Sequence, residues 1–194
     1  VATYTHQIEY FGITEVNKGT IENCNVTMCI DRKDQWSLYI GGIVQVNYGT
    51  IRDCIADLKV DVTATTGDLP GVWTGGIAKS SSENSLIDHC LVLGHLNALG
   101  SSAHNISLSG IADLTTDTAR CVDSAFAMDK AEVLCQDQYY FSPAFQTWTG
   151  SVAGAENCRV ANDIPYQNIV TKNNPGNTND SINEGGIFSG GPGY

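Results

Sequence analysis

The sequence predicts an all-β chain, a right-handed parallel β-helix (β-solenoid) of about five coils, and three observations carry that expectation. The first is a repeat. Gly12, Ile13, Val16, Asn17, Gly19, Thr20, Ile21 and Cys24 return at fixed offsets as Gly42, Ile43, Val46, Asn47, Gly49, Thr50, Ile51 and Cys54. The second is strand periodicity after each cysteine: Cys54, Ala56, Leu58 and Val60 alternate with Ile55, Asp57, Lys59 and Asp61. The third is spacing. The glycine slots Gly12, Gly42, Gly76, Gly110, Ser151 and Gly186 stand 30 to 41 residues apart, too far for a hairpin and suited to one coil. Right-handedness follows from the general preference of parallel crossovers.

Taken in order, a lead of about ten residues precedes a first unit, Gly12 to Cys24, followed by the apolar NVTMCI and a polar loop. The second unit ends in TTGDLPG, a cluster of turn formers. In the third, the stretch from Gly76 to Cys90 is two residues longer, and the added SSSEN falls where the second unit has its Asn-x-Gly turn. The fourth keeps Gly110, Ile111 and Cys121; the fifth is expected around Ser151, Val152 and Cys158, and Gly186 and Ile187 open a sixth. Equivalent positions should then stack. Ile13, Ile43, Ile77, Ile111, Val152 and Ile187 are expected to form one inward ladder, and Cys24, Cys54, Cys90, Cys121 and Cys158 another. Asn17 and Asn47 are placed at a corner that tolerates left-handed backbone, with Gly19 and Gly49 as a second such position.

Composition bounds the function. At 194 residues with 42% hydrophobic and 16% charged side chains, the chain is read as a single folded domain over 1–194. A formal charge of -11, with 10 basic residues among 21 acidic ones, excludes a nucleic-acid surface. No apolar run is long enough for membrane insertion. A start at Val1 without a signal peptide leads to the expectation of a segment from a longer surface or secreted protein.

The candidate chemistry is sparse. No C-x-x-C pair occurs among the cysteines, so no metal and no cofactor is expected, and the cysteine column reads as core. Cys29, predicted to face outward, and Cys135, off the pattern, are the candidates for a reactive thiol or an intermolecular bond. His89 and Cys90 should face opposite sides of the wall, which argues against a thiol nucleophile pair. Tyr39, Trp73 and Trp148 each precede a glycine slot by three residues, and alternation puts them on the face of Ile43, Ile77 and Val152, in the core or at its rim. The candidate ligand contacts are the aromatics Tyr139, Tyr140, Phe141 and Trp148, in the longest apparent insertion.

The run GGIVQVNYGTIRDC resembles the GLUG repeat family, whose units look like G-x-I-V-G-x-N-x-G-x-I-x-N-C followed by a short apolar strand. Glu15 and Gln45 stand where that family usually has its glycine after I-V. The resemblance is close over two units and looser over the next three. It implies a parallel β-helical fold, an extracellular or bacterial cell-surface location, and no catalytic residues. The expected function is a non-catalytic structural or adhesive module that binds a protein or glycan or forms a stalk or fibre. Because a solenoid end exposes strand edges and core, end-to-end continuation with further repeats or self-assembly is expected. The alternative is a carbohydrate-active β-helix enzyme, a polysaccharide lyase or hydrolase, drawing Asp53, Asp57, Asp61, Asp88 and Arg52 together on the outer face.

Overall fold

A computed structural model describes residues 7–33, 37–64, 72–100, 105–116, 118–134, 138–142, 145–147 and 155–160, and among them there is no helix. The strands come four to a unit. In chain order they are β1 (Gln7–Phe11), β2 (Thr14–Asn17), β3 (Thr20–Glu22), β4 (Asn25–Lys33); β5 (Ser37–Gly41), β6 (Val44–Asn47), β7 (Thr50–Arg52), β8 (Ile55–Ala64); β9 (Val72–Gly75), β10 (Ala78–Ser81), β11 (Leu86–Asp88), β12 (Leu91–Gly100); β13 (Asn105–Ser109), β14 (Ala112–Leu114), β15 (Arg120–Val122), β16 (Ala125–Leu134); and β17 (Gln138–Ser142), β18 (Phe145–Thr147), β19 (Ala155–Glu156), β20 (Arg159–Val160).

These strands form four five-stranded sheets, ordered β1-β5-β9-β13-β17, β2-β6-β10-β14-β18, β3-β7-β11-β15-β19 and β4-β8-β12-β16-β20. Pairing is parallel, and every neighbour in a sheet is four strands away in the chain. That connectivity is compatible with a β-solenoid, and it makes each residue's partner its equivalent in the next unit.

The isoleucine ladder holds over four units. The Ile13 amide donates to the Ile43 carbonyl at 2.9 Å, Ile43 to Ile77 at 2.8 Å, and Ile77 to Ile111 at 2.7 Å. Val152 and Ile187 lie outside the described residues. Cys54, Ala56, Leu58, Val60 and Val62 are buried while Lys59 between them is exposed, the alternation expected for β8. Each fully buried Ile or Leu in such a column contributes about 1.5–3 kcal/mol. The glycine slot has a steric cause: a Cβ on Gly42 would sit 1.8 Å from the Gly76 carbonyl oxygen, and one on Gly76 would sit 1.9 Å from that of Gly110. Gln45, buried in the second unit, donates its amide to the carbonyls of Tyr10 and Tyr39, both at 2.7 Å, so it ties two units together.

Three sequence-based placements are overturned. The first concerns the corners, since neither Asn17 and Asn47 nor Gly19 and Gly49 has positive φ. The asparagines are buried and use their side chains instead. Asn17 Nδ2 donates to Asn47 Oδ1 at 2.8 Å, Asn47 Nδ2 to Ser81 Oγ at 3.3 Å, and the two Oδ1 atoms accept from the amides of Gly19 at 3.0 Å and Gly49 at 3.1 Å. Asn23, Asp53, His89, Asp123 and Asn157, with φ from 47 to 56°, hold left-handed backbone at the turn between the third and fourth strands of each unit, and Asn84, at φ 59°, does so in the longer turn after the second strand of the third unit.

The second correction concerns Cys121. It pairs with Ile87 and Ala155, so it occupies the isoleucine slot of Ile21, Ile51 and Ile87. Ser124 fills the cysteine slot: the carbonyls of Cys24, Cys54 and Cys90 accept from the amides of Ile55, Leu91 and Ala125 in the same way. The hydroxyl substitutes because it makes the same local bond, Ser124 Oγ donating to the Val122 carbonyl at 2.8 Å. The third correction moves the fifth unit. Val44, Ala78, Ala112 and Phe145 share a register position, at intervals of 34, 34 and 33 residues, so the fifth glycine slot lies ahead of Phe145 and not at Ser151. The long gap was a misplaced unit.

Candidate functional site

Tyr39 and Trp73 are partners across β5 and β9, with rings stacked at 4.7 Å between centroids and 7° between planes. Both are half-buried, and the flanking Leu38, Ile40, Val72 and Thr74 are buried. They therefore lie on the outer face, which corrects the expectation of a core or rim role. The chain bends at 42–43, and side-chain parity does not carry across that corner. Lys79 Nζ stands 5.3 Å from the Tyr39 ring centre, and Gln7 Nε2 donates to the Tyr39 hydroxyl at 3.4 Å. Burial, then the nearby Glu9 carboxylate, raises the Tyr39 pKa above its ordinary value. Each ring spends one face on the other, a contact worth about 0.5–1.5 kcal/mol beyond burial.

In register, this column runs Glu9, Tyr39, Trp73, Ser107 and Tyr140. Its fifth member is thus Tyr140, where sequence spacing put Trp148. Tyr139, Tyr140 and Phe141 lie in β17 opposite Ile106, Ser107 and Leu108. Their side chains, and Trp148 altogether, lie outside the described residues.

The outer charges fall into separate local groups. Arg52 Nε donates to Glu22 Oε2 at 2.7 Å, and Glu22 is the main cause of the raised Arg52 pKa, with smaller contributions from Asp53 and Asp88. Lys59 lies 3.9 Å from Asp57. Asp61 accepts from His95 Nε2 at 2.8 Å and from Asn97 Nδ2 at 2.6 Å. Arg120 reaches Glu156 at 3.1 Å. The residues of the carbohydrate-enzyme alternative are thereby divided between the left-handed corner and β8. Exposed pairs of this kind are screened by solvent and add little to stability.

Among the described residues, Asp88, His89 and Asp123 are the group whose ligand atoms all lie within 4.8 Å of one another. His89 Nδ1 donates to Asp88 Oδ1 at 2.6 Å, and its Nε2 is 4.0 Å from Asp123 Oδ2. The hydrogen bond to Asp88, then the charges of Asp88, Asp123 and Asp53, raise the His89 pKa. One nitrogen and two carboxylates are a donor set that a divalent cation could use. Sequence reasoning missed this corner. The available signal was an Asn, Asp or His immediately before Cys24, Cys54, Cys90 and Cys158, the residue types most tolerant of left-handed backbone.

The cysteine slot is a column of thiols bonded to their own chain. Cys24, Cys54, Cys90 and Cys158 donate to the carbonyl two residues earlier at 3.2, 3.1, 3.3 and 3.5 Å. All are free, and burial pushes the Cys90 thiol up to about 12. His89 is exposed while the adjacent Cys90 is buried, on opposite sides of the wall as expected, although the left-handed corner at His89 and not strand alternation separates them. Cys29 is exposed, as expected, and Cys135 lies outside the described residues.

Fold and surface together define an all-β repeat protein built on parallel sheets. No family model matches the chain, and neither the curated proteins nor the solved structures contain a match to it.

Proposed function

We propose that this chain is a non-catalytic structural or adhesive module of an extracellular or cell-surface bacterial protein, built as a right-handed β-solenoid of about five coils from GLUG-like repeats. The observation that carries this reading is how the outer charges are used. They pair between successive units, at equivalent positions for Glu22 with Arg52 and two residues off register for Asp61 with His95 and Arg120 with Glu156, and so support the stack. A polysaccharide-cleaving site needs an acid and a base converging on one bond. The first unit adds support for end-to-end continuation: Phe11, Ile13 and Val16 are 39, 44 and 39% exposed, whereas Ile43 is fully buried by its neighbours on both sides. Another unit of the same pattern, from a further repeat or a second copy, has the register to cover that edge. A protein or glycan partner would meet the outer face that carries Tyr39, Trp73 and Lys79.

The test is incubation of the purified chain with a panel of acidic and neutral polysaccharides, measuring release of reducing ends, beside sedimentation over a range of concentrations. No cleavage and a concentration-dependent end-to-end association are expected. Depolymerisation would replace this reading with the carbohydrate-active enzyme, and a monomer at all concentrations would remove the end-to-end part.

A further inference from the structure

Throughout the stack, a thiol in the cysteine slot leans on the residue that holds the isoleucine slot in the preceding unit. Cys54 Sγ lies 3.9 Å from the Ile21 carbonyl oxygen, Cys90 Sγ 3.7 Å from that of Ile51, and Cys158 Sγ 3.4 Å from that of Cys121. In the first two cases the neighbour carries an aliphatic side chain. In the third it carries a second thiol, and the two sulfurs are 3.7 Å apart. The cause is the exchange of slots in the fourth unit, where cysteine stands for isoleucine and Ser124 for cysteine. Ser124 turns its hydroxyl to the Val122 carbonyl, and Cys121 and Cys158 meet between the two units.

From this geometry we propose that Cys121 and Cys158 are a specific oxidative cross-linking site, joining the fourth unit to the fifth by a disulfide. Closing the bond requires the sulfurs to move from 3.7 Å to about 2.05 Å. Both thiols are sheltered, at 0 and 4% exposure, so a small oxidant suits the site better than a protein disulfide. The pair is also divided in acidity. Desolvation holds the Cys121 thiol well above its ordinary range, while the hydrogen bond with Cys121 brings Cys158 below its own. Cys158, the more accessible of the two sulfurs, meets the oxidant first.

With hydrogen peroxide as oxidant, the Cys158 sulfur attacks one peroxide oxygen, the O–O bond breaks, and hydroxide leaves to be protonated to water. The resulting Cys158 sulfenic acid is attacked by the Cys121 sulfur. Its S–O bond breaks, the Cys121 proton goes to the departing hydroxide, and a second water forms. Two thiols are oxidised to one disulfide and one peroxide is reduced to two waters. The closed loop contains β17, with Tyr139, Tyr140 and Phe141, so oxidation would tether the segment in which the sequence places the candidate ligand contacts.

The test uses the full chain, fully reduced and then exposed to stoichiometric hydrogen peroxide while folded, alkylated, and mapped by mass spectrometry without reduction. The expected result is one dominant cross-linked peptide pair, Cys121 with Cys158, with Cys54 and Cys90 alkylated only after unfolding. Cys121→Ile restores the residue of the other units at that slot and should abolish the cross-link. Cys158→Ser, with the side chain already present at Ser124, should abolish it too. Oxidation should raise the melting temperature of the unmodified chain and of neither variant. Recovery of both cysteines as free thiols after peroxide, or a scrambled set of pairs involving Cys29 or Cys135, would overturn the proposal.

Discussion

The first unit carries asparagine at two of its corners, Asn17 and Asn23, and solves different problems with it. At the corner after the second strand, Asn17 and Asn47 point inward and link successive units by an amide chain that ends on Ser81. Just before the fourth strand, Asn23, Asp53, His89, Asp123 and Asn157 point outward and contribute a left-handed backbone. The first corner depends on buried hydrogen bonds that have no substitute in water. The second depends on a conformational preference, which is smaller and open to several residue types. The same letter in the sequence therefore marks a costly position in one place and a permissive one in the other.

The sharpest way to break that comparison is to truncate both. Asn47→Ala removes the acceptor for Asn17 and for the Gly49 amide, and the donor to Ser81. Leaving such buried groups without partners should cost about 2–5 kcal/mol in urea unfolding. Asn23→Ala, exposed and left-handed, should cost only about 1–2 kcal/mol. Equal losses would show that the amide chain has no special weight.

A second prediction separates two glycines that the repeat treats as equal. A Cβ on Gly49 would sit 2.1 Å from the Gly19 carbonyl oxygen, whereas one on Gly19 meets nothing within 4 Å. Gly49→Ala should destabilise by about 1–3 kcal/mol through forced separation of the units. Gly19→Ala should be neutral or stabilise by up to about 1 kcal/mol, since neither glycine needs positive φ. Calorimetry on the two variants checks this, and a matching penalty at Gly19 would refute the close-approach explanation.

A third, at the outward corner, has the opposite sign from most glycine substitutions. Asp53 holds φ 53°, so Asp53→Gly should stabilise by roughly 0.5–1 kcal/mol, while the β-branched Asp53→Val should destabilise by about 1–2 kcal/mol. If Asp53→Gly lowers the unfolding midpoint, the corner is held by the carboxylate and not by backbone preference.

How much of this was legible follows from how each feature is encoded. The all-strand architecture and the Ile13 to Ile111 ladder were readable because period 2 and the interval between units are properties of residue order alone. The inward run of β8 was readable for the same reason. Register in the eroded units was not, because a cysteine was used as the marker and Cys121 stands one slot early; only the partner of Ala125, the Cys90 carbonyl, shows that Ser124 is the true equivalent. The outward stack of Tyr39 on Trp73 was lost because alternation was carried through a corner. The left-handed residue was assigned to Asn17 and Asn47 because an Asn-x-Gly turn and an Asn before cysteine offer the same composition, and the difference lies in which one is buried.

The smallest expected effect is a pH dependence confined to the outward corner. His89 is exposed, its Nδ1 bonded to Asp88, with Asp123 and Asp53 as the other charged groups that raise its pKa. The folded pKa is thus higher than the roughly 6.5 of an unfolded histidine. A raised base stabilises the fold when protonated, so this contribution is complete below about pH 6.5 and disappears as pH rises through the folded value. Imidazole NMR shifts should report a titration midpoint above that of a model histidine, and Asp88→Asn should move it down. His89→Asn keeps a residue that accepts left-handed backbone while removing the charge, so its stability should lose the acid-side component and otherwise match the parent at alkaline pH. A midpoint at or below the ordinary histidine value would mean that Asp88 does not hold the ring, and the corner would then be a matter of backbone alone.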